Sequence, residues 1–149
     1  MIICSEQAMK AFGARLIKAC HSAGVITLQG NLGTGKTTIV RGALEACGIR
    51  SGVRSPTYTL VEYYELDGLS VAHFDLYRLS DPEELEYLGY RDYLQSDTLC
   101  FIEWPERAAG YLEQVGLQIH IEYESGCRRL EFSAGNEWGK QLLSRLNSR

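Results

Sequence analysis

The sequence predicts an α/β fold three layers deep, in which a mixed sheet has a parallel core, flanking antiparallel hairpins and helices on both faces. Three observations carry this. A glycine-rich turn, Gly30-Asn-Leu-Gly-Thr-Gly-Lys-Thr37, joins the apolar run Val25 to Gln29 to a helical pattern, the strand–turn–helix arrangement of a parallel sheet. The segment Thr98-Leu99-Cys100-Phe101-Ile102 is an unbroken apolar run, as expected of a parallel strand buried on both faces. Two pairs of strand-like segments meet at Asp67-Gly68 and at Ser125-Gly126, turn dipeptides that call for antiparallel pairing.

Each element has its own local reason. Ser5 caps a first helix whose apolar positions Met9, Phe12, Leu16, Ile17 and Cys20 keep helical spacing until Gly24 ends it. After the glycine-rich turn, Ile39, Val40, Ala43, Leu44 and Cys47 form the buried stripe of a second helix, and Gly48 stops it. The stretch Ile49 to Ser55 reads as loop, and Pro56 pushes Ser55 toward an extended conformation. Thr59 to Tyr64 and Leu69 to Phe74 form the first hairpin. Asp81-Pro82-Glu83-Glu84 starts a short helix, with Asp81 as cap, Pro82 at the first position and Glu84 reaching back. Gly89 closes that helix, a further turn of helix or loop follows to Ser96, and a short helix after Glu103 runs to about Leu112. Leu117 to Glu124 and Arg128 to Ser133 alternate as the second hairpin, and a last helix buries Trp138, Leu142 and Leu146.

The 149 residues are expected to form one domain, 1–149, large enough for a real core. The net charge of −4 argues against a bulk electrostatic grip on nucleic acid and leaves a local basic patch open. Five cysteines, Cys4, Cys20, Cys47, Cys100 and Cys127, are odd in number and never in Cys-x-x-Cys spacing. That predicts buried reduced thiols, with neither a disulfide framework nor a zinc site. Met1 to Glu6 lacks the basic start and long apolar stretch of a signal peptide, and no run approaches a membrane span. A cytoplasmic protein without membrane contact is the expectation.

Residues 30–37 match the pattern glycine, four residues, glycine, lysine, hydroxyl residue. This makes the fold P-loop NTPase-like. Glycines let the backbone wrap with its N–H groups turned toward phosphates, Lys36 supplies a point charge, Thr37 offers a hydroxyl to Mg²⁺, and the helix adds its positive end. Nucleotide contacts are therefore expected from Asn31, Leu32, Gly33, Thr34, Gly35, Lys36, Thr37 and Thr38.

A phosphate loop of this kind needs a carboxylate to organise Mg²⁺ at the end of another core strand. Glu103 closes the most apolar strand, at the edge where open α/β sheets bind ligands; Asp is the usual residue there, and the longer Glu suits a water-mediated contact or activation of the attacking water. Asp75 ends the strand Val71-Ala72-His73-Phe74. It either serves Mg²⁺ or the nucleophile, or pairs with Arg78 or caps a turn, and the residues leave both open. Thr57 is either a switch threonine sensing the outer phosphate or a strand starter. Trp104 stacks on a base or partner, or sits at the core edge. Arg54, Arg78 and Arg107 are either transition-state or partner contacts or, by default, surface arginines. His21, His73 and His120 lack ligand spacing, and His73 reads as a packed strand residue.

Gly30 to Thr38, Ser55-Pro-Thr-Tyr-Thr-Leu60, His73-Phe-Asp-Leu-Tyr-Arg-Leu79, Asp81-Pro-Glu-Glu-Leu85 and Ile102-Glu-Trp104 stand in order along the chain. Together they resemble the TsaE family, formerly called YjeE, bacterial ATPases of tRNA threonylcarbamoyladenosine synthesis. The resemblance runs from about Ser5 to Trp104. It implies binding of ATP or ADP with Mg²⁺, weak hydrolysis, and work with two partner proteins, TsaD and TsaB, that transfer a threonylcarbamoyl group to the adenosine beside the anticodon. The implied role is regulatory, resetting TsaD–TsaB, with tRNA reached indirectly through the complex. By motif position it implies Lys36 and Thr37 as phosphate and Mg²⁺ residues and Asp75 and Glu103 as the essential acidic pair, either of which touches the metal. It also implies Trp104 as a sensitive neighbour and Ser5, where the family often has Thr, near the adenine. Thr34 replaces the more usual Ala or Ser. Two other readings share the loop: a nucleotide-responsive binding module with incidental hydrolysis, and a small-molecule kinase, against which stands the lack of an arginine-rich lid stretch. A GTPase is disfavoured because no Asn-Lys-x-Asp occurs.

Overall fold

The computed structural model describes residues 1–49, 56 and 58–148. In chain order the elements are β1 (Ile2–Ile3), α1 (Glu6–Ala19), β2 (Val25–Gln29), α2 (Lys36–Ala46), β3 (Val61–Tyr64), β4 (Ser70–Asp75), α3 (Glu84–Tyr87), α4 (Tyr90–Gln95), β5 (Thr98–Glu103), a 3₁₀ turn (Pro105–Ala108), β6 (Val115–Glu124), β7 (Cys127–Ala134) and α5 (Glu137–Asn147).

The strands form one seven-stranded sheet in the order β1-β7-β6-β2-β5-β4-β3. β6, β2, β5 and β4 run parallel. β3 pairs antiparallel at one flank, and β7 and then β1 pair antiparallel at the other. The expected mixed sheet, with its parallel core and flanking hairpins, is the observed one. The hairpin turns use positive φ at Gly68 (79°) in one and at Ser125 and Gly126 (49° and 80°) in the other, the backbone that tight turns between twisted strands require. All six residues of β5 are buried, as its unbroken apolar run demands of a strand flanked by two others and covered on both faces.

Alternation along the strands divides the core. Ile26, Leu28, Phe101, Leu117 and Ile119 face α1, α2 and α5. Ala72, Phe74, Cys100 and Ile102 face the side covered by α3, α4 and the 3₁₀ turn. Helices α1 and α2 meet backbone to backbone: a Cβ at Gly13 would stand 2.0 Å from the Ile39 carbonyl oxygen, and one at Gly42 2.2 Å from that of Lys10. This crossing fixes α2, and with it the phosphate loop at its N-terminus, against the first helix.

Local expectations hold at several points. The Ser5 hydroxyl accepts from the Ala8 N–H at 3.0 Å and caps α1. Asp81 Oδ1 accepts from Glu83 N and Glu84 Oε2 from Ser80 N, although the helix proper starts only at Glu84. Two expectations fail. α1 ends at Ala19, well before Gly24, because Gly24 is a packing glycine: a Cβ there would lie 2.4 Å from the Trp138 ring. Trp138 itself is half-buried, its Nε1 donating to Ser22 Oγ.

The cysteines also correct the sequence reading. Cys4 and Cys127 form a disulfide, with Cα atoms 4.2 Å apart. The reason is register: Ile3 of β1 pairs with Arg128 of β7, which brings the next residue of one strand beside the first of the other. Cys47 is exposed, and only Cys20 and Cys100 are buried free thiols, both pushed up to about 12 by burial. Among the described residues no helix is long and apolar enough to cross a membrane.

Candidate functional site

The phosphate loop leaves β2 at the C-terminal edge of the parallel strands and enters α2 at Gly35, whose φ of 107° and ψ of 18° only glycine adopts without strain. Gly33 also has positive φ, and a Cβ on it would lie 2.8 Å from the Tyr123 hydroxyl. The missing side chains leave room for the groups packed against the loop, Tyr123 beside Gly33 and Met9 beside Gly35. Gly35 provides no side-chain cap, so the first N–H groups of α2 are left to face whatever sits in the loop. Thr34 Oγ1 donates to Asn31 O at 2.8 Å and braces the loop from within.

Lys36 is 5% exposed. Its Nζ donates to Gly30 O and Asn31 O at 2.5 and 2.8 Å and lies 4.4 Å from the centre of the Trp104 ring. Burial lowers its pKa, opposed by the negative field of Glu103, Asp75 and Glu106. The ammonium is thus desolvated and held over the loop by two backbone carbonyl oxygens.

Parallel pairing of β4 with β5 sets Asp75 opposite Glu103. Both are buried, at 4% and 2% exposure, so neither is the solvent-facing carboxylate that a strand end would otherwise hold. Thr37 Oγ1 lies 3.0 and 2.9 Å from the two carboxylate oxygens of Glu103. The Asp75 Oδ1 accepts from Tyr77 N at 3.1 Å, so this residue does cap its turn while lining the same cleft. That cleft, about 240 Å³, is lined by Gly35, Lys36, Thr37, Asp75, Glu103 and Trp104 among others. Trp104 has φ 58° and ψ 50°, a costly conformation for a bulky residue. It turns the chain so that the indole packs against Lys36 and Tyr77.

On the other side of the loop a second cavity, about 340 Å³, is lined by Cys4, Ser5, Met9, Gly33, Gly35 and Arg128 among others. Ser5 is there, at the start of α1. Asn31 and Leu32 are exposed at the tip, and Thr38 lines both cavities. Every described residue expected at the site is therefore gathered around one loop. Thr57 and Arg54 lie outside the described residues. Arg78 and Arg107 stay exposed, over Tyr58 and Tyr77.

Sequence reasoning missed four groups. Arg128 donates to Thr34 O and Gly33 O, Tyr123 donates to Leu32 O, and the Cys4–Cys127 bond lies at the rim. These come from the second hairpin folding back onto a loop more than ninety residues earlier in sequence, which no local pattern announces. His73 is the fourth, its Nε2 2.5 Å from Glu103 Oε2. The two-residue strand period, which puts it on the face of Asp75, is the signal that finds it.

Comparison with known proteins agrees with this architecture. A family model described as "Threonylcarbamoyl adenosine biosynthesis protein TsaE" matches residues 3–130. The tRNA threonylcarbamoyladenosine biosynthesis protein TsaE of Haemophilus influenzae is 43% identical over 148 residues, covering 96% of this chain and 94% of the relative. That of Bacillus subtilis is 40% identical over 128 residues, covering 84% and 80%. The crystal structure of Bacillus subtilis YdiB superposes with a TM-score of 0.78 at 28% identity, covering 98% of this chain and 91% of that one. The chain belongs to the TsaE family.

Proposed function

We propose that this protein is a Mg²⁺-dependent ATPase that supports formation of threonylcarbamoyladenosine in tRNA by regulating or resetting the TsaD–TsaB enzyme, and that its own hydrolysis is slow until those partners engage it. One observation carries the reading: the hydroxyl that follows the loop lysine is hydrogen-bonded to a buried carboxylate at the end of the neighbouring parallel strand. Loop, hydroxyl and acid at a strand end are the parts of a nucleotide-hydrolysing site.

The residues fit ATP and Mg²⁺. Open glycine backbone, an uncapped helix start and a desolvated lysine suit triphosphate oxygens. Thr37, Asp75 and Glu103 offer only oxygen donors, the kind Mg²⁺ prefers. Among the described residues no group of three or more His, Cys, Asp or Glu forms a metal cage, which agrees with an ion held mainly by phosphates, water and one or two protein oxygens. Bound Mg²⁺ supplies charge neutralisation on the phosphates.

The chain's own groups do the rest. Lys36 would hold the outer phosphates, and Thr37 would offer its hydroxyl to the metal. Glu103, freed from Thr37, accepts a hydrogen bond from the attacking water and orients it. Asp75 holds the opposite side of the cleft, and Trp104 shields the phosphates from solvent. Ser5 and the second cavity receive the nucleoside. ATP hydrolysis by the purified protein, alone and with TsaD and TsaB, tests this: the partners raise turnover, and Glu103→Gln and Asp75→Asn abolish the stimulated rate. A rate unchanged by the partners would remove the regulatory part of the proposal. Stimulated hydrolysis that survived Glu103→Gln would remove its chemical part.

A further inference from the structure

We infer that His73 is a positioning residue for hydrolysis: through a buried hydrogen bond it holds the Glu103 carboxylate in its working orientation. This rests on the hydrolytic role proposed above for Glu103. His73 stands on β4 two residues before Asp75, and Asp75 pairs with Glu103 on β5, so the strand period sets all three on the face that looks toward the phosphate loop and α2. Its side chain is fully buried, and Nε2 meets Glu103 Oε2 at 2.5 Å. Facing a carboxylate oxygen, which accepts, Nε2 is the nitrogen that carries the hydrogen.

Two features separate this from simple packing. The other ring nitrogen, Nδ1, is buried with no hydrogen-bond partner among the described residues, a cost that an apolar side chain of similar volume would avoid. What the imidazole adds in return is its bond to Glu103. Among the described residues, the other hydrogen bonds on that carboxylate come from Thr37, whose hydroxyl would be offered to Mg²⁺ in the proposed function. His73, on a strand of the parallel core rather than on the loop, then keeps the carboxylate from rotating away from the attacking water.

Two substitutions distinguish the roles. His73→Gln keeps an N–H at about the reach of Nε2; His73→Leu fills the space without a donor. The Leu variant is expected to bind ATP within about 3-fold of the unmodified protein while its stimulated turnover falls at least ~10-fold, and the Gln variant recovers most of that loss. In nitrogen-labelled protein without nucleotide, the protected imidazole N–H resonance of His73 shifts in Glu103→Gln. Leu turnover matching the unmodified protein, equal failure of Gln and Leu with ATP binding intact, or an imidazole resonance indifferent to Glu103→Gln would each overturn the inference. If the Leu variant does not fold, the resonance decides alone. If Glu103→Gln itself hydrolyses ATP normally, the proposed function fails, and the resonance still judges the contact.

Discussion

The two sides of the phosphate loop are built by different means. On one side Lys36, Thr37, Asp75, Glu103 and His73 sit on or beside central strands and the first turn of α2, all but Thr37 buried. On the other side Gly33 and Thr34 are held by Arg128 of β7 and Leu32 by Tyr123 of β6, and Cys127 is tied to Cys4 beside the start of α1. The strand side is fixed by the same packing that makes the core. The hairpin side is an edge, held by partly exposed hydrogen bonds and one covalent link. Under the proposed function the difference becomes a division of labour: groups proposed to act on a reacting phosphate have strand-end rigidity, whereas the cavity proposed to admit and release a nucleoside lies against an edge that can open.

Four perturbations break or sharpen that contrast. The largest effect is expected on the strand side: Glu103→Gln lowers partner-stimulated ATP turnover by roughly 10² or more, read by phosphate release. Next is the covalent link. Cys127→Ser removes a cross-link spanning 123 residues and is expected to lower unfolding free energy by about 2–4 kcal/mol in denaturant titration. Turnover of ATP already bound stays unchanged, because the link touches only the edge.

The third is alkaline stability. Above pH 9.0, the ordinary thiol value, the unfolded chain gives up protons that folded Cys20 and Cys100 retain up to about 12. The folded state then binds more protons, so stability falls as pH rises, by roughly 1.4 kcal/mol per pH unit for each thiol. Lys36 acts in the opposite direction, since its lowered pKa lets the folded state lose a proton before the unfolded chain does at 10.5. Burial also raises Cys47, Tyr90 and Tyr93, which act with the two thiols against the one lysine, so the slope is downward, and Cys20→Ala with Cys100→Ala lessens it in thermal melts taken between pH 9 and 10.5. The smallest effect is on the edge: Arg128→Ala costs about 1 kcal/mol, a several-fold weaker nucleotide affinity by calorimetry with little change in turnover at saturation.

The same contrast decides what was legible in the sequence. The loop motif, the buried strand ending in Glu103 and the hairpin dipeptides are local, and each appears where its residues point. Asp75 stayed ambiguous because one strand-end position does two things in space: it caps a turn through Tyr77 N and lines the cleft. His73 read as packing because burial and a hydrogen bond to a carboxylate leave the same strand pattern. Arg128, Tyr123 and the disulfide were invisible because they depend on how β7 registers against β1 and folds toward the loop, a long-range result of sheet assembly. Five scattered cysteines, never in Cys-x-x-Cys spacing, argue for thiols on composition, and register overrode that for Cys4 and Cys127.

The separation of the two sides is tested most directly by equilibrium binding of ATP to Glu103→Gln. The account predicts affinity equal to or tighter than that of the unmodified protein, because the loop, Lys36 and the hairpin edge are untouched and a buried charge near the phosphates is removed. Affinity lost in step with turnover would contradict it, since binding and hydrolysis would then depend on the same side of the loop.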